Sequence, residues 1–122
     1  FPECRFTLID SIGKKIKVAQ EVATALGLTN VECIQERAEE EKRKFDFVVS
    51  RAVMPLPDLV RLVQKNVSTK QRNAVPNGLV VLKGGDLREE LRPFQKRAEI
   101  TDISTLFRGE WFDTKRVIYL PL

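Results

Sequence analysis

Three side chains at the carboxyl ends of apolar strand patterns carry most of the chemistry this chain offers: Asp10, Arg51 and Lys83. Asp10 closes the pattern of Phe6, Leu8 and Ile9. In open α/β sheets ligands sit outside the carboxyl ends of strands, where a carboxylate can accept hydrogen bonds from ribose hydroxyls. Asp10 therefore fits a nucleoside-containing cofactor. Asp is also a common helix N-cap, and the residues alone leave both roles open. Arg51, in Ser50-Arg51-Ala52, follows a second strand pattern, and a guanidinium there can grip a carboxylate or phosphate through two parallel hydrogen bonds. Lys83 precedes Gly84 and Gly85, which permit close approach of a ligand or a positive φ. Taken singly, each is also a turn with an exposed basic residue. Three such strand ends on one rim are harder to dismiss as turns.

The elements that must position these residues alternate between strand and helix. A helix is expected over 12–26, with Ile12, Ile16, Ala19, Ala23 and Leu26 on one face. Asp10 or Ser11 can cap its start, and Gly27 suits the left-handed position past its end. A strand follows over 31–34. Residues 45–50 and 78–83 are short apolar runs, as expected of parallel strands buried on both faces. Between them Pro57 suits a helix start, and Leu59, Val60, Val63 and Val67 recur at helical spacing. Residues 68–77 read as a polar loop, and a further helix after Asp86 should stop by Pro93. Strands over 98–107 and 116–120, joined by 108–114, suit an antiparallel hairpin closing an otherwise parallel sheet.

Composition narrows the classes. With 122 residues, 43% hydrophobic and 31% charged, the chain reads as one globular domain. No apolar run approaches the roughly 20 residues that span a bilayer, so a cytoplasmic protein without a membrane partner is expected. The two cysteines, Cys4 and Cys33, fall inside strand patterns and are expected as buried thiols. Without any histidine they cannot form an ordinary zinc site, and no metal is expected. The net charge of +4 is compatible with a polyanionic partner, although solvated helix faces give the same balance.

The segments LIDSIGKKIKVAQEVATALGL, QERAEE, FDFVVSRAV and LVVLKGGDLREEL resemble the class I S-adenosylmethionine-dependent methyltransferases. More narrowly they resemble the glucose-inhibited division protein B (GidB) family of small-subunit (16S) ribosomal RNA guanine-N7 methyltransferases. The resemblance covers almost the whole chain, and the four blocks in this order are specific. It implies an α/β, Rossmann-like sheet, mostly parallel with a C-terminal antiparallel hairpin. It also implies S-adenosylmethionine as methyl donor and 16S ribosomal RNA, or the small ribosomal subunit, as partner. Residue by residue, it implies that Asp10 lies near the cofactor ribose. Ala38 and Glu39 would lie by the adenine, Arg51 in the cofactor and active-site region, and Lys83 in contact with RNA or the active site.

One departure is large. The family's first strand and the glycine-rich loop that wraps the methionine half of the cofactor have no counterpart here. Residues 1–122 are therefore expected to form a single partial methyltransferase domain, the C-terminal part of the enzyme, inactive or incomplete by itself. With the central strand missing, the strands ending at Asp10 and at Ser50 are expected to pair directly or to take a strand from another chain. Guanine N7 carries a lone pair and loses no proton on methylation, so a chain without histidine is compatible with this chemistry. Two alternatives are a small-molecule methyltransferase on the same fold and a non-catalytic α/β nucleotide-binding or interaction domain.

Overall fold

The computed structural model describes residues 1–51, 54–110 and 114–122, which fall into two compact units, Phe1–Lys42 and Arg43–Leu122.

The first unit is a β-α-β element. Strand β1 (Phe6–Asp10) pairs in parallel with β2 (Val31–Gln35), Asp10 lying opposite Gln35. Helix α1 (Gly13–Ala25) makes the crossover and ends where Gly27 adopts φ 67°, a conformation costly for residues with a Cβ. The Leu28 and Gly27 amides then donate to the carbonyls of Ala23 and Thr24, closing the last turn. Ala23 is the one expected helix-face residue that is fully buried; Ile12 and Leu26 are exposed. A 3-10 turn, Ala38–Glu40, follows β2. Cys4 precedes β1 and is exposed, and Cys33 is half-buried, so the expectation of two buried strand thiols is corrected; both are free.

The second unit is a four-stranded sheet in the order β3-β4-β6-β5, formed by β3 (Phe47–Arg51), β4 (Gly78–Gly84), β5 (Glu99–Asp102) and β6 (Lys115–Pro121). The β3–β4 pair is parallel, and both pairings of β6 are antiparallel. The expected hairpin is present, but β5 is shorter than anticipated and gives way to a 3-10 turn at Ile103–Thr105. Helix α2 (Leu56–Val63) starts one residue before Pro57 and ends before Val67. Helix α3 (Arg88–Leu91) is followed by a 3-10 turn that runs through Pro93. Their apolar side chains meet Leu79 and Val81 of β4 and Ile118 and Leu120 of β6 in one core.

That core covers only one sheet face. Val49 and Leu82 on the other are 67% and 40% exposed, so the expectation of strands buried on both faces is corrected. Strands β1 and β3 do not pair either; their partners are β2 and β4. Direct pairing of these two strands, one of the two expected outcomes, is absent among the described residues. Ala52 of the Ser-Arg-Ala block, and residues 111–113 of the 108–114 connection, lie outside the described residues.

Candidate functional site

In a parallel pair both strands end on the same side, so the register places Asp10, Gln35 and the Ala38–Glu40 turn at one end of the first unit. The Asp10 Oδ1 accepts a hydrogen bond from the Ile12 amide at 2.8 Å. This turn holds the carboxylate at the strand end. It is not the helix cap itself: Ile12 occupies the cap position, and no side chain caps it. Gln35 completes the edge, its Nε2 donating to the Ser11 carbonyl at 3.4 Å. Ala38 is half-buried and Glu39 exposed. Ala38 and Glu39 thus stand at the same strand end as Asp10, an apolar surface beside hydrogen-bond acceptors.

In the second unit the β3–β4 register pairs Arg51 with Leu82, so Arg51 and Lys83 reach the same end of the sheet. They leave it on opposite faces. Arg51 shares its face with Val49, and it is exposed, with no ion pair among the described residues. Lys83 shares its face with the buried Leu79 and Val81 and is itself 6% exposed. Burying an ammonium is costly unless it is paired and hydrogen-bonded, and here it is both. Its Nζ donates to the Met54 carbonyl at 2.8 Å and lies 2.6 Å from Glu90 Oε1. The same Glu90 oxygen accepts from the Leu56 amide at 3.3 Å. The positive charge expected to face a ligand is turned inward.

Gly85, next in chain, has φ 76° and donates to the Thr114 carbonyl at 3.2 Å. Asp86 follows, and hydrogen bonds from the Arg88 side chain and amide, helped by the charges of Arg88 and Arg116, hold its carboxyl at about 2. Sequence reasoning missed Glu90 and Gln35. For Glu90 a signal existed, since alternation along Leu79, Val81 and Lys83 puts the lysine on the core face, where it needs an acidic partner.

Among the described residues no helix is long and apolar enough to cross a membrane, and no three His, Cys, Asp or Glu side chains are grouped as a metal site requires.

The geometry can be set beside known proteins. A crystallised rRNA methylase from Streptococcus thermophilus superposes with a TM-score of 0.62 over 96% of this chain and 72% of its own, at 11% identity. That likeness shows the fold, a Rossmann-like methyltransferase arrangement. Ribosomal RNA small subunit methyltransferase G of Bacteroides thetaiotaomicron is 58% identical over 98% of this chain and 58% of its own length. The protein of the same name from Parabacteroides distasonis is 58% identical over 100% of this chain and 53% of its own. The chain thus spans little more than half the length of these curated relatives. The family model described as rRNA small subunit methyltransferase G matches residues 1–118. With that match and these relatives, the chain belongs to the rRNA small subunit methyltransferase G family.

Proposed function

We propose that this chain forms the C-terminal part of an enzyme that transfers a methyl group from S-adenosylmethionine to N7 of a guanine in 16S ribosomal RNA. The observation that carries the reading is the family match over residues 1–118, joined to a strand end where Asp10 and the Ala38–Glu40 turn stand together. The residues there fit the cofactor's nucleoside half. Oδ1 of Asp10 is held by the Ile12 amide, and the carboxylate's second oxygen can accept from a ribose hydroxyl. Ala38 offers an apolar surface for adenine, and Glu39 an acceptor for its amino group.

The cofactor, when bound, supplies an electrophilic methyl group. N7 attacks with a lone pair it already holds, so no side chain need remove a proton. The protein's task is to place N7 in line with the methyl. Arg51, exposed at the carboxyl end of β3, supplies a fixed positive charge for a carboxylate or phosphate at that edge. The target base must be presented out of its stack, from an unpaired region. The family's glycine-rich loop is not among these 122 residues, so the chain by itself should hold the cofactor weakly. A single methyltransferase domain, of which both units are parts, is the architecture this reading requires.

The test uses the longest reading frame containing this chain. Calorimetric titration of S-adenosylmethionine should show affinity reduced at least about tenfold by Asp10→Ala, the loss of a charge-assisted hydrogen bond. Labelled methyl should enter small ribosomal subunits, and Arg51→Ala should slow that transfer. Unchanged cofactor affinity would return Asp10 to a turn role. Transfer only to small molecules would favour the alternative substrate class.

A further inference from the structure

On the sheet face away from its core, the second unit sets another cation beside Arg51. Arg51 lies opposite Leu82, and Gly84, two residues further along β4, lies opposite Lys115. Paired and alternate residues share a face, so Arg51, Leu82, Gly84 and Lys115 all stand on one. With strands about 4.8 Å apart and a rise of about 3.3 Å per residue, Gly84 lies roughly 8 Å from Arg51. Lys115 is half-buried, its side chain laid over β4. A Cβ on Gly84 would come 3.1 Å from the Lys115 Nζ and 3.3 Å from its Cδ. The glycine thus leaves room for the ammonium on the strand next to Arg51. A guanidinium on its flexible stem can close the remaining gap.

Like charges brought together on one sheet face repel. No carboxylate separates these two, since β4 puts only Leu82 and Gly84 between them. Asp86, further along the chain, is engaged by the Arg88 side chain and amide. An anion with several oxygens would relieve the repulsion by bonding to both cations. The unit's excess of basic over acidic residues favours phosphate-rich RNA as its source.

We propose that Lys115 joins Arg51 in a clamp for one phosphate of the RNA backbone, with Gly84 providing the space through which the ammonium reaches it. The choice of RNA rests on the methyltransferase reading; the placing of both cations on one sheet face does not.

The test is a double-variant cycle on binding, in the longest reading frame containing this chain, with a 16S ribosomal RNA transcript as probe. Lys115→Met and Arg51→Met should each weaken RNA binding at least about fivefold. Each should also reduce the logarithmic salt slope by about 0.7–0.9, as one lost phosphate contact does. The double variant should lose at least about threefold less than the product of the single losses, because either one already frees the phosphate. Groups acting independently would give that product within about twofold. Should Lys115→Met melt early, Lys115→Gln serves the same cycle.

Independent losses, or no loss from the Lys115 variant, would overturn the clamp. So would a tenfold loss of S-adenosylmethionine affinity with RNA binding intact, which would assign the two cations to the cofactor's carboxylate. If the parent protein methylates no RNA, the functional reading fails separately. The cycle reads binding and not turnover, so it still decides the clamp.

Discussion

Lys83 and Arg51 sit at one end of the same sheet, yet they should respond oppositely to truncation. Removing the Lys83 side chain leaves Glu90 partly buried and unpaired, and breaking a buried pair costs about 3–5 kcal/mol. Lys83→Ala should therefore lower the denaturation free energy of the 122-residue chain by about 3 kcal/mol, the low end because Glu90 is not fully buried. Urea titration showing a loss below about 1 kcal/mol would contradict the inward assignment. Arg51→Ala, with no ion pair among the described residues, should stay within about 0.5 kcal/mol. The chemistry of both side chains was legible from their strand ends. What sequence reading lost was the face. Strand alternation places Lys83 beside Leu79 and Val81, but the apolar run GLVVLK equally fits burial on both sides, which erases the distinction.

At the same scale, Asp86 offers a pH test. Its carboxyl is lowered to about 2, first by the Arg88 side-chain hydrogen bond. A group depressed in the folded state adds stability above its unfolded value of about 4, and that contribution is lost as pH falls through about 2. Carboxyl carbon shifts in a magnetic resonance titration should show a midpoint near 2. A midpoint in the ordinary carboxylate range would remove the Asp86–Arg88 contact from the solution structure.

Elements with one strong signal were legible almost to the residue. The amphipathic pattern and Gly27 located α1, whose bounds differ by one residue from expectation at each end. Pro57 located α2 within one residue. Less was legible where long-range contacts decide. In the tail, β-type residues over 98–107 suggested one long strand, but pairing with β6 stops at Asp102 and the chain turns at Ile103.

The sequence marks 68–77 as a polar loop with Pro76 and Asn77 as turn residues, and its organisation lies in Asn77, which is 0% exposed. Its Nδ2 donates to the carbonyls of Ser68 and Lys70 at 2.9 and 3.0 Å, and its Oδ1 accepts from Asn73 at 3.2 Å. Asn77→Ala would remove these three hydrogen bonds, each contributing about 0.5–1.5 kcal/mol net. We expect a stability loss above about 2 kcal/mol and faster proteolysis confined first to this loop. Cleavage elsewhere, with the loop still protected, would contradict that organisation.

For the whole molecule, charge divides the two units. The first holds six basic and eight acidic residues, and the second fifteen basic and nine acidic. The unit with Asp10 and the Ala38–Glu40 turn is thus mildly acidic, and the unit with Arg51 is strongly basic. The basic excess of the second unit is compatible with the RNA substrate proposed above. The overall figure of +4 hid this division, because the two excesses partly cancel. The split into two sheets was also illegible, since strand patterns report which residues are extended and not which strands are neighbours.

Where the transferred methyl lands decides whether the chain serves a guanine-N7 methyltransferase of ribosomal RNA. Small subunits lacking the modification should be incubated with labelled S-adenosylmethionine and the longest reading frame containing this chain. Their 16S ribosomal RNA is then digested and its nucleosides resolved by mass spectrometry. Label is expected in 7-methylguanosine at one site, reduced by Asp10→Ala and by Arg51→Ala. Label in another nucleoside, or none in RNA while a small molecule is methylated, would contradict that reading.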